Sequence, residues 1–441
     1  MSIIMNKKLR ISLKITAFAA IFYVLCLAVA FLLRDDSGSY TRILMHELYE
    51  QDNIDILYCG ASHVSHGITA KVADRMSGRN NFSSGTPSQS IKGTYAILRQ
   101  ATKLYDIEKV FLEIDFAVAT QAAAKDRSGF TADYLIAQYI RDPVIKWSYL
   151  FSVTSPKYYV NTILPIGKDK QMTLRPKSLF LRTKSILDGS YFRYEYVEDG
   201  AEYDGKGCVL DLEPVRNGTF VNYKEEGRIL VEAVSDDWKS TVDDIIALCK
   251  ENGIELIFYS QPCSDFYLHE KGNYDEYYDF CKEFTSSRGF DYYDFNLAKE
   301  KYQKLEDEDF HDDNHFSKQG VYKWTKIFCD YFFTGAIPKD DMFHTSYAEK
   351  IVAQEDRIYG LHLLASDDKK FMTIRPIANH VDESRITYDV LIDDGNGETL
   401  LAERTFDTKI QLPAGKSGTA RVVSYLDGAR QNDCKTHFTS F

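Results

Sequence analysis

The chain has no arrangement of cysteines that is typical of a zinc site, a redox centre or a disulfide framework. Its eight cysteines are scattered over 441 residues, without a Cys-x-x-Cys pair and without a cysteine–histidine cluster at zinc-binding spacing. We therefore expect buried free thiols, with one or two disulfides of unspecified pairing as the alternative for an exported chain, and we expect no metal site and no other cofactor.

An excess of positive charge is also missing. The sequence has 53 Lys and Arg residues against 65 Asp and Glu residues, which gives a formal net charge of −12. Because binding to phosphate polymers depends on a basic surface, this balance argues against nucleic acid as a partner. The net charge of −12 is still compatible with a basic groove on one part of the surface.

A long apolar run occurs near the N-terminus. Residues 15–33 carry no charge, and a helix of this length spans about 28 Å, close to the hydrocarbon thickness of a bilayer. Four basic residues lie upstream, between positions 7 and 14. The positive-inside rule then predicts a cytoplasmic tail at 1–14, a transmembrane anchor at 15–33 and an extracytoplasmic main part.

A second interpretation of this run is a cleaved signal peptide, since Ala28-Val29-Ala30 is similar to a signal-peptidase site. The apolar run continues past it to Leu33, which favours an uncleaved anchor. In both cases the bulk of the chain is exported, and we predict a single-pass protein of the cell membrane.

The central part of the chain alternates short apolar runs with amphipathic segments. Predicted strands are 54–60, 109–116, 254–262 and 290–295, and predicted helices are 90–105, 237–253 and 318–333. This alternation predicts an α/β domain at 37–340, with a parallel sheet covered on both faces. It breaks down at about 117–236, which we interpret as an insertion of short hairpins and helices over the mouth of the sheet.

The C-terminal residues 350–441 follow a different pattern. Apolar and polar positions alternate in short segments separated by turn signals such as Asp394-Gly395-Asn396-Gly397. This spacing predicts an all-β sandwich, with a role in packing or binding.

Two fragments of the α/β region combine the groups of an activated serine. Gly60-Ala61-Ser62-His63 follows the first predicted strand, and His311-Asp312-Asp313-Asn314-His315 follows the last one. A serine hydroxyl needs a base to become a nucleophile, and a carboxylate can orient that base. We predict Ser62 as nucleophile, His315 as base and Asp312 as its partner, with His311 and Asp313 as the alternative pair.

The same fragments argue against the α/β-hydrolase fold. The sequence lacks the second glycine of the Gly-x-Ser-x-Gly elbow, and Asp312 lies only three residues before His315.

Gly-Ala-Ser after a strand, with Asp312-x-x-His315 near the end of the α/β region, resembles the SGNH (GDSL-type) hydrolase superfamily. The likeness covers roughly 54–335 and is strongest to membrane-anchored exported members. These are the O-acetyltransferases of surface polysaccharides and the D-alanyl-lipoteichoic acid biosynthesis protein family. The resemblance implies an SGNH-like three-layer sandwich, and a membrane-bound O-acyltransferase partner that supplies the acyl group.

The resemblance also implies an oxyanion hole, in which the backbone N–H groups of Ser62 and Gly85 would bind the developing charge. The third family block, Gly-x-Asn, is absent, since the predicted strand at 109–116 ends in Asp115-Phe116-Ala117. Whether Asp115 replaces part of that block stays open here. His63 and His66 flank the nucleophile and either contact substrate or pack in the core.

The predicted function is O-acyl transfer, most simply of acetyl, through an acyl-Ser62 intermediate to a cell-envelope polysaccharide or polyol. Two alternatives remain at this point. One is a carbohydrate esterase with the same triad, and the other is a non-catalytic glycan-binding assembly protein.

Overall fold

The computed structural model describes residues 7–36, 38–120, 131–167, 169–215, 219–224 and 227–439. Residues 1–6 of the predicted cytoplasmic tail and residues 121–130 of the predicted insertion lie outside this range. The described residues form both helices and strands throughout.

The helices are α1 (Lys7–Leu33), α2 (Tyr40–Glu50), α3 (Ser62–Ser65), α4 (Ala70–Ser77), α5 (Ile91–Thr102), α6 (Phe116–Ala119), α7 (Thr131–Tyr139), α8 (Pro143–Val153), α9 (Tyr159–Ile163), α10 (Pro176–Leu187), α11 (Asp236–Glu251), α12 (Asp265–Lys271), α13 (Tyr274–Ser286), α14 (Lys318–Cys329) and α15 (Tyr347–Ala353).

The strands are β1 (Ile56–Cys59), β2 (Asn81–Ser83), β3 (Lys109–Glu113), β4 (Ala201–Gly205), β5 (Cys208–Asp211), β6 (Phe220–Asn222), β7 (Glu255–Ser260), β8 (Tyr292–Asp294), β9 (Ile358–Ala365), β10 (Phe371–Ala378), β11 (Ile386–Asp393), β12 (Glu398–Thr405), β13 (Lys409–Gln411), β14 (Ser417–Leu426) and β15 (Ala429–Thr439).

Five parallel strands form the central sheet in the order β2-β1-β3-β7-β8. Numbered within the sheet, this is the 2-1-3-4-5 order of doubly wound α/β folds. Helix α5 packs against α11, and α4 packs against α14, as right-handed crossovers require when helices cover both faces. The predicted parallel sheet is therefore confirmed.

The sequence pattern located four of these five strands and missed β2. Strand β2 has only three residues, Asn81, Phe82 and Ser83, and a single apolar side chain among them. Its pairing with β1 and its complete burial, rather than its own hydrophobicity, make it a strand. A pattern search that depends on apolar runs has no signal for such a segment.

The C-terminal region contains two four-stranded sheets, β13-β10-β9-β6 and β12-β11-β14-β15. Side chains of both sheets, including Leu361, Ile374, Val390 and Val422, share one buried cluster. This gives the sandwich-like packing that the alternation predicted. Strand β6, however, comes from the predicted insertion and pairs in parallel with β9, so the predicted boundary at 350 leaves out one strand.

The segment 117–236 differs from an insertion that simply covers the mouth of the sheet. Helices α7 and α8 contact α2 and α5, and α10 contacts α1. The β4–β5 hairpin lies nearer the candidate site, because β5 contacts α3. The segment therefore contributes to the anchor end, to the site and, through β6, to the C-terminal sheets.

Helix α1 is long and apolar enough to cross a membrane, with a mean hydropathy of 2.6 in its most apolar window. Its C-terminal end is fixed to α10 by Asp36, which is almost completely buried. The Asp36 carboxylate pairs with the Arg182 guanidinium at 3.1 Å and accepts hydrogen bonds from the hydroxyls of Tyr139 and Tyr191.

All eight cysteines are buried and unpaired. The expectation of buried free thiols is confirmed.

We predict that Gly320→Ala destabilises the fold. A Cβ at Gly320 would stand 1.8 Å from the Asp309 carbonyl oxygen, so α14 would have to move away from the preceding loop. We expect a loss of about 1–3 kcal/mol in the free energy of unfolding, measured by urea denaturation. Gly227→Ala is the control, since a Cβ there meets open space; equal stability of the two variants would contradict the prediction.

Candidate active site

Ser62 lies at the carboxyl edge of the central sheet, two residues beyond the turn glycine that follows β1. A Cβ at Gly60 would stand 2.8 Å from Glu113 Oε2 and 2.4 Å from Val64 Cγ2, so any larger residue here would displace one of these side chains. Strands β1 and β3 are neighbours here, at the point where the strand order reverses. Ligands of doubly wound sheets bind at such a switch point.

The structure brings Ser62, His315 and Asp312 together as a hydrogen-bonded chain. Ser62 Oγ lies 2.9 Å from His315 Nε2, and His315 Nδ1 lies 2.9 Å from Asp312 Oδ2. Because the carboxylate accepts the Nδ1 proton, Nε2 is left to accept the Ser62 hydroxyl proton. This is the arrangement that makes a serine hydroxyl nucleophilic.

A tight loop holds the acid and the base. Asp312 Oδ1 accepts the backbone N–H of Asn314 at 3.0 Å and that of His315 at 2.7 Å. The backbone N–H of His311 donates to the His315 carbonyl at 2.8 Å and closes the loop. Ser317 caps the following helix α14, since its side chain accepts the backbone N–H of Gly320.

The protonation of this pair is suited to base catalysis. Burial opposes ionisation of Asp312, but its hydrogen bonds and the nearby His315 lower its pKa well below the ordinary value. Burial lowers the pKa of His315, and His63 and His66 add to this effect against the opposing Asp312. His315 is consequently neutral at neutral pH, as a general base must be.

The alternative pair lies elsewhere. His311 Nδ1 donates to the Glu213 carbonyl at 2.7 Å, and the Asp313 carbonyl accepts a hydrogen bond from the Ser264 hydroxyl. A cavity of about 320 Å³ borders this side of the loop, and its lining includes Tyr223 and Lys435.

His63 forms a second histidine–carboxylate pair beneath the first. Its Nδ1 donates to Glu113 Oε1 at 3.0 Å, and its ring meets the His315 ring edge-on at 5.3 Å. Burial lowers the pKa of His63, but the carboxylates of Asp115 and Glu113 outweigh burial and raise it to about 9. His63 is therefore charged, and its buried Nε2 has no hydrogen-bond partner among the described residues.

His66 forms a third pair, through Nδ1, with Asp211 Oδ2 at 2.7 Å. Its ring lies 5.2 Å from that of His315. The sequence singled out His63 and His66 but missed their partners. A signal existed for Glu113, since it is a charged residue in the apolar run of β3, whereas Asp211 ends an ordinary hairpin strand.

Gly85 packs against the turn that carries Ser62. A Cβ at Gly85 would stand 2.1 Å from the Ala61 carbonyl oxygen and 3.1 Å from the Ser65 nitrogen. Asp115 caps α6 by accepting the Ala117 N–H at 2.9 Å.

The described residues contain no group of three or more His, Cys, Asp and Glu side chains that could hold a metal ion. No model of a known protein family and no curated protein matches the chain. The chemistry of the site therefore has to be argued from its geometry.

We predict that Glu113→Gln changes the pH dependence of stability. The pKa of His63 is about 9 in the folded chain against an ordinary 6.5, so its protonation stabilises the fold fully below about pH 6.5. This contribution is lost as the pH rises toward 9. Without the Glu113 charge, the pKa of His63 falls back toward 6.5. The stability that is lost between about pH 6.5 and pH 9 should therefore be smaller in the Glu113→Gln variant.

The measurement is denaturant unfolding at several pH values for both chains. Glu108→Gln is the matched control, since Glu108 is half exposed and pairs with Arg79 outside the site. An unchanged pH dependence in Glu113→Gln would contradict the assignment of the charge to His63.

Proposed function

We propose that the chain is an exported, membrane-anchored serine acyltransferase of SGNH type that transfers an O-acetyl group to a cell-envelope polysaccharide or polyol. The observation that carries this proposal is the hydrogen-bonded chain from Ser62 through His315 to Asp312. The 2-1-3-4-5 order of the sheet and the position of Ser62 at its switch point support it further.

In the first half-reaction His315 Nε2 takes the proton of Ser62, and Ser62 Oγ forms a bond to the acyl carbonyl carbon. The tetrahedral intermediate then breaks the bond to the leaving group, which receives the proton from His315. In the second half-reaction His315 takes the proton of the acceptor hydroxyl, whose oxygen attacks acyl-Ser62. Collapse forms the new ester, and the proton returns from His315 to Ser62.

The oxyanion is assigned to the backbone N–H groups of Ser62 and Gly85. Ser62 begins α3, so its N–H has no partner inside the helix. His63 is our candidate for the third donor in place of the missing Asn, because its charged ring carries a buried, unpaired Nε2 beside the base. Donors of this kind each contribute about 3–4 kcal/mol to lowering the barrier.

We propose that the acceptor sugar or polyol binds beside the loop that carries Asp312 and His315, on the side where the cavity of about 320 Å³ lies. The cavity there is lined by an exposed tyrosine, Tyr223, and by Lys435 as well as by Asp312, and aromatic rings and cations suit the faces and hydroxyls of sugars. A membrane-bound O-acyltransferase is the proposed donor partner, and the basic residues at the N-terminal end of α1 support an extracytoplasmic site.

A carbohydrate esterase with the same residues is the second candidate. The Asp312 side chain is 46% exposed, so water has access to this end of the triad. Hydrolysis follows the same steps with water in place of the sugar hydroxyl. In the remaining alternative, a glycan-binding assembly protein, the triad would be inert.

We predict that the full chain, given a chromogenic acetyl ester, forms an acetyl adduct on Ser62, detected by intact mass spectrometry. Ser62→Ala should abolish the adduct, and His315→Ala should slow its formation by about 10²–10⁴-fold because the base is lost. His311→Ala is the matched control and should acylate normally, since that ring bonds only the Glu213 carbonyl.

Adding a soluble oligosaccharide separates the candidate functions. Transfer of the acetyl group to the sugar supports the acyltransferase, whereas discharge to water alone supports the esterase. A folded chain that forms no adduct and turns over no ester would favour the assembly role.

A further inference from the structure

A cavity at the end of α1 is lined by cationic side chains, although the chain as a whole is acidic. The cavity has a volume of about 300 Å³ and lies between α1 and the helices α7 to α9. Its apolar wall includes Tyr23 and Leu27 of α1, and its polar end includes Arg34, Lys146 and Lys170. One ligand could thus contact the apolar helix and the cations together.

The depth of the cavity matches one leaflet of a bilayer. Tyr23 and Arg34 are eleven positions apart, which corresponds to about 16 Å along a helix. Half the hydrocarbon thickness of a membrane is about 15 Å. If α1 spans the bilayer, the apolar wall lies among acyl chains and the cations lie at headgroup level. Trp147, also in the wall, belongs to a residue type enriched at that level.

The three cations have few carboxylates near them among the described residues. The Lys170 ammonium donates to the Thr162 carbonyl at 3.2 Å and lies 3.5 Å from the centroid of the Tyr134 ring. Burial lowers the pKa of Lys146, and the nearby Arg34 lowers it further. Burial also lowers the pKa of Lys170 to about 8, with Lys146 acting in the same direction and Asp169 against it. Asp36 lies 3.8 Å from Arg34 but is held more closely by Arg182.

The segment from α9 to α10 exposes several apolar side chains, and α10 packs against α1. Four large side chains of this segment are more than half exposed: Val160, Leu174, Phe180 and Leu187. Exposed apolar groups in such numbers are typical of a surface that contacts a membrane or another protein. Their position beside α1 favours the membrane.

We propose that this cavity binds one anionic phospholipid, with its phosphate between Arg34, Lys146 and Lys170 and an acyl chain along Tyr23 and Leu27. The inference is independent of the proposed acyl transfer. It assigns the helices α7 to α10 to the membrane interface, where a lipid phosphate adds negative charge to a cation cluster whose nearby carboxylates are Asp36 and Asp169.

The test is native mass spectrometry of the full chain in detergent, with phosphatidylglycerol and phosphatidylcholine of identical acyl chains. We expect retention of one phosphatidylglycerol in preference to phosphatidylcholine. The double variant Lys146→Gln/Lys170→Gln should weaken this retention about 30-fold, since each basic residue near an anionic lipid contributes about fivefold.

Lys184→Gln is the matched control, because Lys184 is an exposed lysine on α10 outside the cavity. Lys146→Glu is the second variant in case the double variant does not fold; its carboxylate can pair with Arg34 and should exclude the phosphate. Equal retention of both lipids by the parent chain, or an unchanged preference in the folded variants, would overturn the proposal. Displacement of the lipid by glycerol phosphate at equal concentration would overturn it too, in favour of a soluble phosphate ligand.

Discussion

The hydrogen bond of 2.9 Å between Ser62 Oγ and His315 Nε2 joins two residues that are 253 positions apart. Such a bond contributes only about 1 kcal/mol to stability, so it cannot bring the two segments together by itself. The fold does so in two ways. The parallel sheet places Ser62 at its carboxyl edge beside β3, and α14 packs closely enough on the preceding loop to need Gly320. How precisely Ser62 and His315 are placed relative to each other therefore depends on how tightly α14 packs against the sheet.

Three imidazoles meet at this edge, and each donates through Nδ1 to a carboxylate. The shared pattern does not give them the same charge. His63 is buried near several carboxylates, which together hold its proton. His315 has one half-exposed carboxylate and faces two other histidines, which disfavour its charged form. The same residue type thus supplies a fixed positive charge at one position and a neutral base at the next, because their surroundings separate their pKa values.

The sequence was sufficient where the signal is local. The apolar runs of β1, β3, β7 and β8 identify strands by themselves, and the parallel order follows from the helices between them. Ser62, Asp312 and His315 could be selected because each lies beside a strand end or a helix start, in a recognisable order. The rest depends on contacts between distant segments. Nothing near β2 or β6 specifies its neighbour, and nothing near Asp211 indicates that it will orient His66. The attachment of α10 to α1 depends on a buried ion pair between residues far apart in the chain.

That ion pair contributes to how the α/β part of the chain stands relative to α1. A buried carboxylate is costly unless it is paired and hydrogen-bonded, and Asp36 meets this condition only when Arg182 and the two tyrosines close around it. Only residues 34–39 separate α1 from α2, and the backbone N–H of Asp35 donates to the Gln171 carbonyl. Rotation of the domain about the anchor would break this cluster and leave a buried charge unpaired. Ser62 is consequently held at one height and orientation with respect to α1, and the substrates of the proposed acyl transfer would have to reach it there.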